Sequence, residues 1–242
     1  SKTNIYKNTD QDDYFIVNKD DKTVLEYLDR YQLPCQKITI SLVDEADCMI
    51  KDNAIYYQNE FIIDIADIKV VGKHNLQNIM VAICMAKLSN VDTKIINQEI
   101  SSFIGVEHRI EFVREINGVK VYNDSKATNT DASIIALKAF DKPVILLMGG
   151  FEKGLDLQEM ASYGNKIKRL VTFGAAGKRF KEEMHIENSI YVENLEAATL
   201  EALNHAENGD IILLSPSTSS FDEFSGYEQR GKVFKEIVNN YK

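Results

Sequence analysis

Beyond residue 107 the sequence repeats one pattern that leaves few folds open. "PVILLMGG" (143–150), "IKRLVTFG" (167–174) and "DIILLSP" (210–216) stay apolar without the in–out alternation of a half-exposed sheet. Helical patterns at 130–140, 156–163, 176–184, 195–206 and 221–240, with a shorter strand "SIYVEN" (189–194), fill the gaps between them. Strands apolar on both faces must be covered on both faces. Their alternation with helices requires a mostly parallel sheet, and right-handed crossovers make it doubly wound and Rossmann-like. Asn117-Gly118, inside "RIEFVREINGVKVYND", predicts a hairpin at the start of this region. Before residue 107 the texture is mixed α/β, with strands expected at 14–18, 37–42, 54–57 and 60–65 and helices at 22–31, from His74, and at 93–103.

Ligands of doubly wound sheets bind beyond the carboxyl ends of the strands. Here those ends read "NDSKATN", "MGGFEKG", "TFGAAG" and "SPSTSS", and most are more polar or glycine-rich than a turn requires. In "VYNDSKATNTDAS" (121–133), Asn129 or Thr130 can cap the following helix and Asp131 suits its first turn. Asp124, Lys126 and Thr128 are left without a local duty. In "GGFEKGLD" (149–156) the glycines permit a sharp turn, and Lys153 offers a point charge to a carboxylate or phosphate. "SPSTSSFDEFSGYEQRG" (215–231) reads as a hydroxyl-lined loop ahead of a helix, with Ser220 as N-cap and Glu223 completing a capping box. Asn75 and Asn78 share a helix face, where Asn75 is either a cap or half of an amide pair for a polar ring edge. His108 and Arg109 lie at the seam between the two textures, where an ion pair and a ligand contact weigh equally.

Net charge is −9, which disfavours nucleic acid and anionic membrane surfaces as partners. No stretch approaches the ~20 apolar residues of a membrane span. Three widely spaced cysteines without a CxxC pair suit a reducing compartment, and the cytoplasm is the expected location.

Taken in order, "GKHNLQN", "EHR", "NDSKATN", "GGFEKG" and "SPSTSSFDEFSGYEQRG" resemble the Mur ligase family. "NDSKATN" points within it to the branch that adds D-glutamate. The resemblance covers essentially the whole chain. It implies that 1–107 is the latter part of the central ATPase domain and that 108–242 is the Rossmann-like C-terminal domain that binds the amino-acid substrate. It also implies ATP and Mg²⁺ as cofactors, D-glutamate and UDP-N-acetylmuramoyl-L-alanine as substrates, and a monomer.

Residue by residue, the resemblance implies that Lys2, once carbamylated, is an anionic Mg²⁺ ligand. Asn75 and Asn78 would meet adenine, and Arg109 and Asp124 the ribose and phosphate, with His108 beside them. Lys126 would support the transferring phosphate. Thr128, Lys153, Ser220 and Tyr227, with Phe221 on the same loop, would receive the carboxylates of D-glutamate. Two departures stand out: Glu152 where aspartate is common, and Phe221 at a variable position. The chain contains no G-x-x-x-x-G-K-[ST] loop, so it is expected to be catalytically incomplete alone. The alternatives are a folylpolyglutamate synthase-like ligase and a non-catalytic module for acidic metabolites.

Overall fold

The computed structural model describes residues 8–30 and 33–242, apart from the side chain of Asp29. The chain divides into two compact units, Ser1–Phe103 and Ile104–Lys242.

In the first unit the strands are β1 (Tyr14–Asn18), β2 (Gln36–Ser41), β3 (Cys48–Lys51), β4 (Ala54–Tyr57) and β5 (Glu60–Asp64). The helices are α1 (Lys22–Arg30), α2 (Lys73–Leu88) and α3 (Thr93–Ser102). The sheet runs in sequential order, parallel from β1 to β3 and antiparallel from β3 to β5. β3, "CMIK", adds a strand to those expected. Its hairpin and the next turn on Asp52-Asn53 and Gln58-Asn59, all four at positive φ. Paired positive φ is the geometry of the tight hairpin turn that matches strand twist, but neither pair carries the glycine that usually signals it. Met80, Ile83 and Cys84 of α2 pack with Ile96 of α3 on Ile38, Ile40, Ile55 and Ile63. Cys48 and Cys84 are buried in this core as small apolar side chains, and all three cysteines are free.

The second unit begins with β6 (Glu111–Ile116) and β7 (Val119–Asn123), the expected hairpin, with Asn117 and Gly118 both at positive φ. Then follow α4 (Thr130–Lys138), β8 (Val144–Gly149), α5 (Gln158–Ala161), β9 (Ile167–Phe173) and α6 (Gly177–Met184). β10 (Ser189–Tyr191), α7 (Leu195–His205), β11 (Ile211–Leu214) and α8 (Tyr227–Asn240) complete it. The sheet order is β10-β9-β8-β11-β7-β6, parallel throughout except for the β6–β7 hairpin. From β8 the chain steps outward through β9 to β10, and α7 then returns it to β11. Reversing direction while keeping the crossover right-handed puts α7 on the face opposite α5 and α6. Accordingly α4, α5 and α6 pack in a row, and α7 packs on α8.

Every residue of β8 and β11 is buried, which explains their unbroken apolarity. One face meets Leu195, Ala198 and Ala202 of α7 and Phe234 and Val238 of α8, against Ile145, Leu147, Val171, Ile212 and Leu214. Each such large side chain stabilises the fold by about 1.5–3 kcal/mol. Because β11 inserts between β7 and β8, the strand order reverses there, and the carboxyl ends of these three strands form the unit's natural crevice. No helix among the described residues is long and apolar enough to cross a membrane.

Candidate active site

The crevice is built from the ends of β7, β8 and β11 and the start of α8. Asn123, the last residue of β7, is fully buried. Its amide Nδ2 faces His108 Nδ1 at 2.9 Å and Glu111 Oε2 at 3.0 Å, and its Oδ1 accepts from the Ser125 amide. Since Nδ2 only donates, His108 must accept at Nδ1 and carry its proton on Nε2. Burial lowers the His108 pKa, consistent with the neutral ring. His108 itself sits at positive φ with its ring 3% exposed, and its carbonyl accepts from the Lys126 amide. The segment before β6 is thereby laced to the segment after β7.

Asp124 is 4% exposed. Its Oδ1 accepts from the Ile110 amide at 3.2 Å and its Oδ2 from Ser215 Oγ at 2.8 Å. Burial pushes its carboxyl up to about 7, against the opposing pull of those hydrogen bonds and of Arg109 and Arg230. Behind it runs a buried hydroxyl chain in which Ser215 Oγ is 2.9 Å from Ser133 Oγ, which is 2.9 Å from Ser217 Oγ. Two of the five hydroxyls in "SPSTSS" therefore bond inward to α4 and β7. Thr218 Oγ1 donates to the Phe151 carbonyl.

Ser219 and Ser220 differ from the rest: both hydroxyls are buried without a hydrogen-bond partner among the described residues. A buried unpaired hydroxyl costs about 1–3 kcal/mol, so their retention points to a ligand. Ser220 is not an N-cap. α8 starts at Tyr227 with Gly226 as its cap, and residues 221–226 form turns instead. Phe224 docks on the core and interrupts the helical pattern read at 221–240. Nor does Glu223 complete a capping box, because its carboxylate accepts from the Leu195 amide at the start of α7.

Arg230, which sequence reasoning passed over, ties the crevice together. It is fully buried. Nε donates to Ser125 Oγ, Nη2 to the carbonyls of Ser125 and Thr218, and Nη1 to the Gly149 carbonyl. One guanidinium thus holds the ends of β7, β8 and β11 in register. Burial lowers its pKa to about 10, while Asp222, Glu223 and Asp124 work the other way. The signal was available: Arg230, Phe234 and Val238 follow i, i+4, i+8 on the buried stripe of α8, so a charge occupies an apolar position.

Around this frame stand the cations. Lys126 is half-buried, with Nζ 5.7 Å from the Tyr227 ring centroid, and the same ring lies edge-to-face with His108 at 6.1 Å. Arg109 is exposed. Lys153 Nζ reaches the Thr128 carbonyl at 3.3 Å, bringing two of the expected carboxylate-binding residues together. Its loop is fixed by Glu152, which takes two hydrogen bonds from Arg179 and one from the Gly154 amide. Gly150, at φ +131°, is obligatory: a Cβ would lie 2.4 Å from the Ser219 carbonyl. Phe221 is 67% exposed at the lip.

In the first unit, Asn75 and Asn78 lie in the first two turns of α2, whose N-cap is Gly72 and not Asn75. Asn75 Nδ2 donates to the Val71 carbonyl at 2.7 Å, so its Oδ1 remains an acceptor. Asn78 is exposed. Lys2 lies outside the described residues.

Comparison with known proteins decides the family. Residues 1–86 match the Mur ligase middle domain, and residues 108–218 match the Mur ligase glutamate ligase domain. The chain belongs to the Mur ligase family. A UDP-N-acetylmuramoylalanine--D-glutamate ligase of Bacillus mycoides (strain KBAB4) is 40% identical over 244 residues, which is 99% of this chain and 54% of that protein. The like-named ligase of Bacillus cereus (strain AH187) is 39% identical over the same shares. The chain thus spans about half the length of these curated relatives. Among solved structures, MurF ligase from Thermotoga maritima in complex with ADP superposes with a TM-score of 0.69, at 14% identity, over 98% of this chain and 56% of that one. MurF from Acinetobacter baumannii gives 0.68 at 16% identity, over 97% and 54%. These structures share the Mur ligase fold seen here.

Proposed function

We propose that this chain supplies the amino-acid-binding end, and part of the nucleotide site, of a ligase that joins D-glutamate to UDP-N-acetylmuramoyl-L-alanine at the expense of ATP. The observation that carries this reading is the convergence at one sheet edge of Lys126, of the Lys153–Thr128 pair, and of a loop with two unpaired buried hydroxyls. A dicarboxylate with an amine needs separate anion receptors for its two ends, and these groups provide them. The identity to relatives named for that reaction supports the same substrate.

In this reading residues 1–107 belong to the ATPase domain and 108–242 to the domain that binds the amino acid. Lys153, Thr128 and Ser220 hold the D-glutamate carboxylates, with Tyr227 and Phe221 flanking them, so that its amine is aligned on an acyl phosphate. Lys126 stabilises negative charge on the phosphate as the amide forms and phosphate leaves. Asn75 and Asn78 recognise the adenine edge, for which the free Oδ1 of Asn75 is chemically suited. Arg109 and Asp124 attend the ribose and phosphates, while His108 keeps the segment carrying Arg109 in place. Mg²⁺ would offset phosphate charge, with Lys2, when carbamylated, as a ligand. Among the described residues no three carboxylate, imidazole or thiolate groups are placed to hold a metal. The enzyme would act as a monomer in the cytoplasm.

Lys153→Ala in the ligase carrying this chain tests the reading. Losing one charge-assisted contact should raise the KM for D-glutamate on the order of tenfold or more and leave the KM for ATP within about twofold. Equal rises in both would remove Lys153 from the amino-acid site, and turnover with L-glutamate and a folate would overturn the substrate.

A further inference from the structure

The Ser219–Ser220 segment presents unpaired hydroxyls, and something must hold it while they wait. Three consecutive residues follow the exposed Phe221, and each is anchored to a different body. The Asp222 carboxylate accepts from the Ala175 amide at 3.1 Å, just ahead of α6. The Glu223 carboxylate accepts from the Leu195 amide at 3.2 Å, the first residue of α7. Phe224 packs on the core beneath α7 and α8. Their backbone turns inward as well: the amides of Glu223 and Phe224 both donate to the Ser220 carbonyl, while the Phe151 amide holds the Ser219 carbonyl at 2.8 Å.

Two further features fit this arrangement. α6 begins without any side-chain cap, and α7 carries Asn194 on Ala197 but leaves the Leu195 amide for Glu223. Glu223 therefore answers an amide that α7 leaves open, and Asp222 holds the Ala175 amide just ahead of α6, where the helix end carries partial positive charge. Gly174, at φ +70°, makes the Asp222 contact possible, because a Cβ there would lie 2.5 Å from Asp222 Oδ2.

We infer that Asp222 and Glu223 are positioning residues, a two-point clamp on the amino ends of α6 and α7 that sets Ser219 and Ser220 for the acidic substrate. The inference rests on the ligase reading for its substrate but not for its geometry. Negative charge from its own carboxylates beside these two helix starts also disfavours a free phosphate there. The substrate carboxylate is thereby directed to the hydroxyls and to Lys153. Burial raises the pKa of Glu223, as expected for a carboxylate retained inside the loop's anchorage.

Two measurements test the clamp separately from the reaction. In the ligase carrying this chain, Glu223→Ala and Asp222→Ala should each raise the KM for D-glutamate about tenfold, with kcat and the KM for ATP changed less than about threefold. Glu223→Gln keeps an oxygen for the Leu195 amide and should recover most of the loss. In the 242-residue chain without substrate, amide hydrogen exchange should quicken at Phe151, Leu195 and Phe224 in Glu223→Ala but not in Glu223→Gln. Unchanged exchange in the alanine variant would overturn the clamp even if D-glutamate proves to be the substrate. Quickened exchange with no D-glutamate turnover by the wild-type ligase would leave the clamp standing and refute the reading. Equal KM changes for ATP and D-glutamate, or glutamine behaving like alanine, would also count against it.

Discussion

Arg230 and Asp124 show how much of this site consists of charge held inside the fold. Arg230 donates to acceptors on three loops and, among the described residues, forms no direct carboxylate pair, so truncating it strands the Ser125 and Thr218 carbonyls. Arg230→Met should lower unfolding free energy by about 3 kcal/mol or more, measured by urea denaturation. Arg230→Lys should recover only a minor part, because one ammonium cannot reproduce the fork. A loss under about 1 kcal/mol in the methionine variant would show the loops are held by other means. Asp124 makes a pH prediction. Its folded pKa of about 7 exceeds the unfolded value near 3.9, so the unfolded state releases this proton first. The sign follows: its contribution is most favourable below about pH 4 and is eroded as pH rises towards 7, by roughly 1.4 kcal/mol per unit. Asp124→Asn cannot ionise, and its amide can still accept from Ile110 and donate to Ser215. The difference in urea midpoint between Asp124→Asn and wild type should therefore move in favour of the variant from pH 5 to pH 8. Parallel pH curves would place the ionisation of Asp124 elsewhere.

At the level of elements, α8 is where local rules and packing conflict most. Gly231 is the fifth residue of the helix, just past its first turn, at a position where alanine would ordinarily gain ~1 kcal/mol. A Cβ there would sit 2.2 Å from His108 Nδ1, and overpacking of this kind costs about 1–3 kcal/mol, so packing wins. Gly231→Ala should lower Tm by several degrees, and the loss should shrink in a His108→Ala background, where the obstructing ring is gone. The same helix marks what the sequence could and could not disclose. Its amphipathic stripe was plain, yet its start lies at Tyr227 and not at 221, because Asp222 and Glu223 bond to other helices and Phe224 to the core. Those are tertiary choices with no local signature. Elements specified by their own period, such as β8 and the Asn117-Gly118 hairpin, fall where periodicity and turn chemistry put them. Candidate site residues in short motifs, such as Lys126 and Lys153, could be marked from sequence. Arg230 left a signal as a charge on the apolar stripe of α8, but its partners and those of the serine chain were not legible, since they lie up to 105 residues away.

Considered as a whole molecule, the described residues include a hydrophobic cluster in each unit, and these two share no residue. One is built from α2 and α3 on the mixed sheet, the other from α7 and α8 on the parallel one. The covalent boundary between the units falls at Phe103/Ile104. Residues 104–242 contain the six strands of the second sheet, helices α4 to α8, and, among the described residues, the hydrogen-bond partners of Arg230, Asp124 and Glu223. That length lies within the ~50–250 residues of ordinary domains. The second unit expressed alone should therefore fold and unfold in one cooperative transition, with far-UV and near-UV circular dichroism changing together. The Arg230→Met loss should appear in it undiminished, since the hydrogen-bond partners of Arg230 among the described residues, Ser125, Gly149 and Thr218, all lie within it. Non-coincident transitions, or a near-UV signal absent from the start, would show that this core depends on the first unit. In that event the strand-end crevice would be a property of the whole chain, and the effects of Arg230 and Glu223 would have to be read in that setting.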